Sequence, residues 1–344
     1  MIDLLVTTII GVVLGVIAGV VPGIHSNLLA TATVVVYAQF NFTFSPLSVA
    51  MLIYTLALTN TVISFIPSTY LGVPDAGTAL SVLPAHQYLL EGKGHEAVLL
   101  TLIGALCALL LTIITLPVFI VIIKPFYAFI KVHIPLLLML IALTLIIREK
   151  SKFFALYTFL AAGILGVITL NLQLIKEPLL PLLTGLFGMP SLLSSIFTKE
   201  SPCKQEESFP PLNKKMLTKT TAISLITGSL FSFLPSLGPS QAAVFSSLIS
   251  KDTSREGYLM LIGALNTVGM VISLITFYTI QKARNGAIVA MMDVLGIMNM
   301  QTVMTSIAVT LILFYPLALI TMILSKKFSS LISKINYQAI SIGV

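Results

Sequence analysis

Apolar residues in this chain come in long unbroken blocks, and the polar residues sit in short gaps between them. The blocks cover Leu4 to Val21, Asn27 to Ala38, Leu47 to Ile66, Ala97 to Ile123, Phe126 to Ile147, Phe153 to Leu170 and Leu179 to Phe197. After a polar stretch they resume with Ala222 to Leu234, continued to Ile249, then Tyr258 to Ile280 and Val303 to Leu324. None shows the period-2 alternation of a barrel strand, and a bilayer core about 30 Å thick needs roughly 20 apolar residues per helix. The pattern predicts an all-α, polytopic membrane protein of about ten or eleven spans. Thr198 to Thr220 is the one long polar gap, so the expected division is residues 1–197, a loop 198–220, and residues 221–344. The tail from Phe328 is only weakly apolar and is expected on the membrane surface.

Composition agrees. Apolar residues make up 57% of the chain and charged residues 9%, against about 25% charged in soluble domains. The net charge of +7 does not imply nucleic-acid binding. Its basic residues lie in short loops, where they act as orientation signals favouring the cytoplasm. Lys199, Lys204, Lys214, Lys215 and Lys219 place the polar loop inside, together with the Arg148 to Lys152 turn. Lys124 to His133 then falls outside. The N-terminus is also outside if the first broken run crosses once. The start, Met1-Ile2-Asp3, lacks the basic region of a cleavable signal. Cys107 and Cys203 form no metal or disulfide pattern, and four scattered histidines predict no metal site. His86, His95 and His133 lie near block ends and are expected at the interface.

Breaks inside the blocks carry the functional information. Irregular backbone at membrane depth is tolerated only where protein buries it or it lines a cavity, and transporters use such breaks to aim helix ends at ions. Pro22-Gly23-Ile24-His25-Ser26-Asn27 is one candidate, and a plain surface turn is the alternative. Pro235-Ser236-Leu237-Gly238-Pro239-Ser240-Gln241 is the second. Asn60-Thr61-Val62 follows the first and Asn266-Thr267-Val268 the second, and Asp75-Ala76-Gly77 parallels Arg284-Asn285-Gly286. The shared order suggests two related halves. Roughly seven crossings before the second copy would make them inverted. Pro67 to Thr78 is the third candidate. It holds Asp75 in an apolar setting, either functional or capping the next helix, with Ser68, Thr69 and Thr78 as hydroxyl donors. Asn60 and Asn266 either line a site or join helices. Lys282 and Arg284 either meet an anion or set orientation. The Met291-Met292 and Met298/Met300 pairs read as packing, and Gly11, Gly15 and Gly19 as a close-packing face.

Several stretches resemble the large membrane subunit of the tripartite tricarboxylate transporters, in particular its shorter archaeal-type relatives. They are Gly19-Val20-Val21-Pro22-Gly23-Ile24, Gly72-Val73-Pro74-Asp75-Ala76-Gly77-Thr78-Ala79 leading into Leu83 to Gly94, Pro181 to Pro190, and Gly238-Pro239-Ser240-Gln241-Ala242-Ala243. The resemblance implies an ion-coupled carboxylate uptake subunit that works with a small membrane subunit and an extracytoplasmic binding protein. His25-Ser26-Asn27 stands where a Gly-rich continuation is more usual, and Asp75 where small neutral residues are common.

Residues and resemblance together predict a plasma-membrane secondary transporter for a small organic anion, coupled to sodium or protons, without other cofactors. Pro22, Gly23, Ser26, Asn27, Ser68, Thr69, Gly238, Ser240 and Gln241 are the candidate anion-binding residues. Asp75, Asn60, Thr78 and Asn266 are the candidate ion-coupling residues. A translocase for lipid-linked phosphate is the alternative, since helix ends also suit phosphate. An intramembrane enzyme is disfavoured, because no paired catalytic set is present. The orientation is testable. In a Cys107→Ala background an impermeant thiol reagent should label Cys203 only after cells are opened; labelling of intact cells would invert every span.

Overall fold

The computed structural model describes residues 2–21, 24–40, 44–72, 78–171, 204–234, 238–250, 254–283 and 285–332. Pro22, Gly23, Asp75, Pro235, Arg284, Cys203, the 179–197 block and the 181–190 motif lie outside the described residues. Among the described residues the regular structure is helical: α1 (Ile2–Val20), α2 (Ser26–Gln39), α3 (Pro46–Ile63), α4 (Phe65–Tyr70), a short 3₁₀ turn (Ala79–Ser81) and α5 (Val82–Leu90). Then come α6 (Gly94–Ile130), α7 (Ile134–Arg148), α8 (Lys152–Asn171), α9 (Lys214–Phe233), α10 (Pro239–Ser250), α11 (Arg255–Ile280), α12 (Gly286–Leu295) and α13 (Met300–Ile332). Six helical segments in the described residues are long and apolar enough to cross a membrane, and α7 and α12 are shorter apolar helices. The chain is an all-α polytopic membrane protein.

Several boundaries differ from those read in the sequence. Lys124 to His133 was expected as a turn, but α6 continues through Pro117 and Pro125 to Ile130. A proline removes one backbone hydrogen bond, and neighbouring helices can compensate for it in a membrane, so it does not have to end a span. The 37 residues of α6 reach about 55 Å at 1.5 Å per residue, well beyond a bilayer core. The polar loop ends earlier than Thr220: the Asn213 side chain accepts from the backbone N–H groups of Lys215 and Met216 and starts α9 at Lys214. Phe328 to Ile332, the described part of the weakly apolar tail, are helical and continue α13.

Two three-helix units are built alike. In each, a long helix (α1 or α9) packs along a third helix (α3 or α11), with a short helix (α2 or α10) between them in sequence. Both third helices start on a serine, Ser45 or Ser254, whose hydroxyl accepts from the backbone N–H three residues on. Most residues of α3 and α11 are buried, so these two helices form the centre.

Glycines let the central helices approach. A Cβ at Gly15 would lie 2.5 Å from the Leu56 carbonyl oxygen and 2.6 Å from Thr59 Cβ, and one at Gly19 would lie 2.6 Å from Ile63 Cβ. This is the close-packing face expected of Gly11, Gly15 and Gly19. A second contact was not anticipated. Gly104 of α6 meets the backbone of Met260, and Gly263 of α11 meets the backbone of Thr101. Both glycines sit in the same pentapeptide, Leu-Ile-Gly-Ala-Leu, at 102–106 and 261–265.

The described end of the polar loop is strapped over the α5–α6 corner. Gly94 N–H donates to Gln205 Oε1 (3.0 Å), Gln205 Nε2 donates to Leu89 O (2.9 Å), and Lys326 pairs with Glu207 (3.0 Å). Gly92, at φ 80°, makes that corner possible. Beside it Arg255 pairs with Glu91 at 2.6 Å, and Tyr88 donates to Glu256 at 2.8 Å. Burial, then the Glu256 hydrogen bond, push the Tyr88 hydroxyl above its ordinary pKa. His95, in the first turn of α6, is buried within the protein, its Nδ1 2.9 Å from Ser325 Oγ.

Gly263→Val should destabilise the protein by about 1–3 kcal/mol or more, because its methyls would meet backbone that cannot move aside. Gly163→Ala is the control: a Cβ there meets nothing within 4 Å, so helix propensity should leave it neutral or stabilise it by up to about 1 kcal/mol. Thermal unfolding in detergent gives the ranking. Equal tolerance at both glycines would mean that α6 and α11 do not touch through their backbones.

Candidate functional site

A cavity of about 370 Å³ lies where the two three-helix units meet. It is lined by His25, Ser26 and Asn27 at the start of α2, by Gly238 and Pro239 at the start of α10, and by Asn285 and Gly286 at the start of α12. The central helices contribute Asn60 and Thr61 from α3, with Ser64 just after its end, and Asn266, Gly269, Met270 and Ser273 from α11. Phe231 and Ser232 of α9 and Ala242 of α10 complete much of the wall.

Each helix start has its own local cause. At α2, His25 Nδ1 accepts from the Asn27 backbone N–H at 3.0 Å and serves as the cap. At α10, the Gln241 side chain reaches back and accepts from the Gly238 backbone N–H at 2.9 Å, one half of a capping box. At α12, Asn285 Oδ1 accepts from the Ala287 backbone N–H at 3.0 Å. Asn60 is 7% exposed, and its Nδ2 donates to Ser26 Oγ at 3.3 Å, tying α3 to the start of α2. Asn266 Nδ2 donates to the Ile262 carbonyl at 3.4 Å. Gly286 leaves room for Asn27: a Cβ there would lie 2.6–2.8 Å from the end of the Asn27 side chain, which would have to move aside.

The described lining holds no Asp, Glu, Lys or Arg, and His25 is its only titratable side chain. Three helix N-termini, each carrying roughly half a positive charge, face the space with amides and hydroxyls. Such an arrangement suits an anion that gives up water for uncharged donors. Lys282 is engaged elsewhere. Its Nζ donates to Tyr127 Oη at 3.4 Å and stands 5.5 Å from that ring's centre.

The structure therefore brings Ser26, Asn27, Asn60, Gly238 and Asn266 to one cavity. Other candidates fall outside its lining. Ser68 and Thr69 are buried in α4, Ser68 lying 3.2 Å from Ser81 Oγ, and Thr78 starts the 3₁₀ turn. Ser240 and Gln241 belong to the first turn of α10 but do not line the cavity, and Gln241 is a cap. Pro22, Gly23 and Asp75 lie outside the described residues. Sequence reading missed Thr61, Ser64, Ser273 and Asn285. Ser64 lies one turn from Asn60, and Ser273 two turns from Asn266, so extending the helical period from each asparagine would have found them.

A model of the Tripartite tricarboxylate transporter TctA family matches residues 5–344, nearly the whole chain. The chain belongs to that family. An uncharacterized protein of Methanocaldococcus jannaschii is similar to it, 29% identical over 293 residues, which is 83% of this chain and 72% of the relative. No solved structure matches. Membership in the TctA family makes the chain a membrane subunit of the secondary-transporter type, in accord with its apolar helices.

Cavity membership is open to direct measurement. Asn60→Cys and Asn266→Cys, each in a Cys107→Ala, Cys203→Ser background, should react with a small thiol reagent in the folded protein. Ser68→Cys and Thr69→Cys should not. The opposite pattern would remove the cavity as a route for water and solute.

Proposed function

We propose that this TctA-family chain is the translocating subunit for a small organic anion, which binds in the cavity between the two three-helix units. The observation that carries the reading is the convergence of three helix N-termini, α2, α10 and α12, on a space walled by Asn60 and Asn266. At about 370 Å³ the space falls at the lower end of small-molecule sites, which run from about 300 to 1,000 Å³. Carboxylate oxygens would take the N–H groups of the helix starts, and the Asn60 and Asn266 amides would supply side-chain donors.

In this reading the two units are copies from an inverted duplication, and their relative motion exposes the cavity to each side in turn. Their like construction, with a serine cap at the start of each third helix and a cavity-lining asparagine further along it, supports it. The coupling ion is sodium or a proton, and Asp75 takes part in coupling. The family's tripartite organisation supports a small membrane subunit and an extracytoplasmic binding protein as partners, and the plasma membrane as the location.

Reconstituted protein should take up at least one of labelled citrate, succinate or lactate, chosen as tri-, di- and monocarboxylate probes. Asn60→Ala and Asn266→Ala should each lower that uptake at least about tenfold, the loss of one good hydrogen bond to an anion, while thermal stability is kept. Failure of all three probes, or full activity in both variants, would overturn the reading. Asp75→Asn should lose gradient-driven accumulation yet keep exchange of labelled probe. Full accumulation would leave Asp75 as a helix cap.

A further inference from the structure

The only titratable side chain in the described cavity lining also caps the helix that points into it. His25 Nδ1 accepts from the Asn27 backbone N–H at 3.0 Å. To accept, Nδ1 must carry a lone pair, so the ring is neutral with its proton on Nε2. An imidazolium has hydrogen on both nitrogens and accepts nothing. Capping α2 and holding a second proton are therefore mutually exclusive states of His25.

We propose that His25 is a proton-operated cap through which this site takes up a proton together with its anion. The proposal rests on the anion-site reading above. Without a ligand, the positive end of α2 opposes an imidazolium, and the neutral ring shields the Asn27 N–H. When an anion enters, a proton from bulk water adds to Nδ1. The hydrogen bond from Asn27 N to Nδ1 breaks, and both groups become donors toward the cavity. When the anion leaves, the proton returns to water and the cap reforms. The N–H bond at Nδ1 is the one covalent bond made and broken, and its proton comes from and returns to bulk water. Because binding free energies are reciprocal, whatever proton uptake adds to anion affinity, the anion adds to proton affinity.

In the described lining His25 is the one titratable side chain. The cavity-lining residues of α3, α9, α10, α11 and α12 include none that titrates, and α1 has no basic residue in its last turn. Lys282 is held by Tyr127, Asp293 sits in the last turns of α12 outside the lining, and Arg284 lies outside the described residues. The Asn27 side chain lies over Gly286, so the N–H that His25 covers belongs to a residue packed beside the start of α12.

The test compares the full-length protein with His25→Asn. Asparagine also caps helices through a side-chain oxygen but does not titrate. Binding of citrate, succinate and lactate is measured at about pH 5 and about pH 8, either side of the ordinary histidine range. The wild type should bind its preferred probe about tenfold more tightly at the lower pH, relative to His25→Asn, which should be flat once the probe's own ionisation is divided out. In lightly buffered solution near neutrality, adding probe should draw protons from the medium with the wild type but not the variant. Identical pH dependence in both proteins, or no proton uptake by the wild type, would refute the proposal and leave the anion site standing. If no probe binds either protein at either pH, the anion reading itself fails and this inference falls with it. Should His25→Asn unfold, nitrogen-15 signals from the histidine rings serve instead: a His25 Nδ1 that does not gain a proton when probe binds refutes the proposal.

Discussion

Hydrocarbon cannot hydrogen-bond a backbone, and every other feature of this protein follows from that. An unpaired N–H or C=O in lipid costs several kcal/mol, so a chain that interrupts its helices must turn the interruptions inward and find partners for them. Here the starts of α2, α10 and α12 line a common cavity. Each start has a side chain for its first amides: His25, Gln241 or Asn285. The amides and hydroxyls that remain around the space give the cavity its character. The same requirement that keeps the helices whole elsewhere makes the site polar.

The helices around the cavity are seated by close backbone contacts. Gly11, Gly15 and Gly19 seat α1 against α3, and the reciprocal pair Gly104 and Gly263 seats α6 against α11, backbone to backbone. Apolar side chains alone give little driving force between helices in lipid, where tails are as apolar as leucine. Close van der Waals fit is the remaining source of association, and glycine permits the closest approach. The two helices that carry Asn60 and Asn266 are therefore also the two most tightly enclosed, so the amides sit on rigid supports.

A site built this way differs from one built on lysine and arginine. On the proposed anion reading, helix ends and amides are fixed dipoles that would need little reorganisation when an anion arrives and would leave no unpaired side-chain charge when it departs. For a transporter that must release its cargo as readily as it binds it, a modest and reversible attraction suits the task. His25 adds the one group in the described lining whose charge can change.

Much of the architecture was legible in the sequence because the bilayer restricts the choices. Apolar blocks of spanning length dictate helices, and glycines every fourth residue dictate a close crossing. Pro235 to Gln241 contains the start of α10, and Ser26-Asn27 the start of α2, because proline and capping residues act locally. Boundaries set by tertiary contact were less legible. Pro125 does not end α6, Lys214 already lies in α9, and His95 is buried against Ser325. Local pattern also could not say which polar residues share a space. Ser68, Thr69 and Gln241 have the same chemistry as Ser26 and Asn60, yet Ser68 faces Ser81, Thr69 is buried in α4, and Gln241 turns back on its own helix start. Which face of a central helix meets the cavity depends on how helices distant in sequence rotate and dock. That is fixed by backbone approach at glycines such as Gly104 and Gly263, whose partners lie more than a hundred residues away. The sequence by itself determined that there are helices, where several of them break, and that the breaks need partners. Only the packed structure decided that three helix starts and two asparagines share one cavity, because that convergence is a property of the docking and not of any segment.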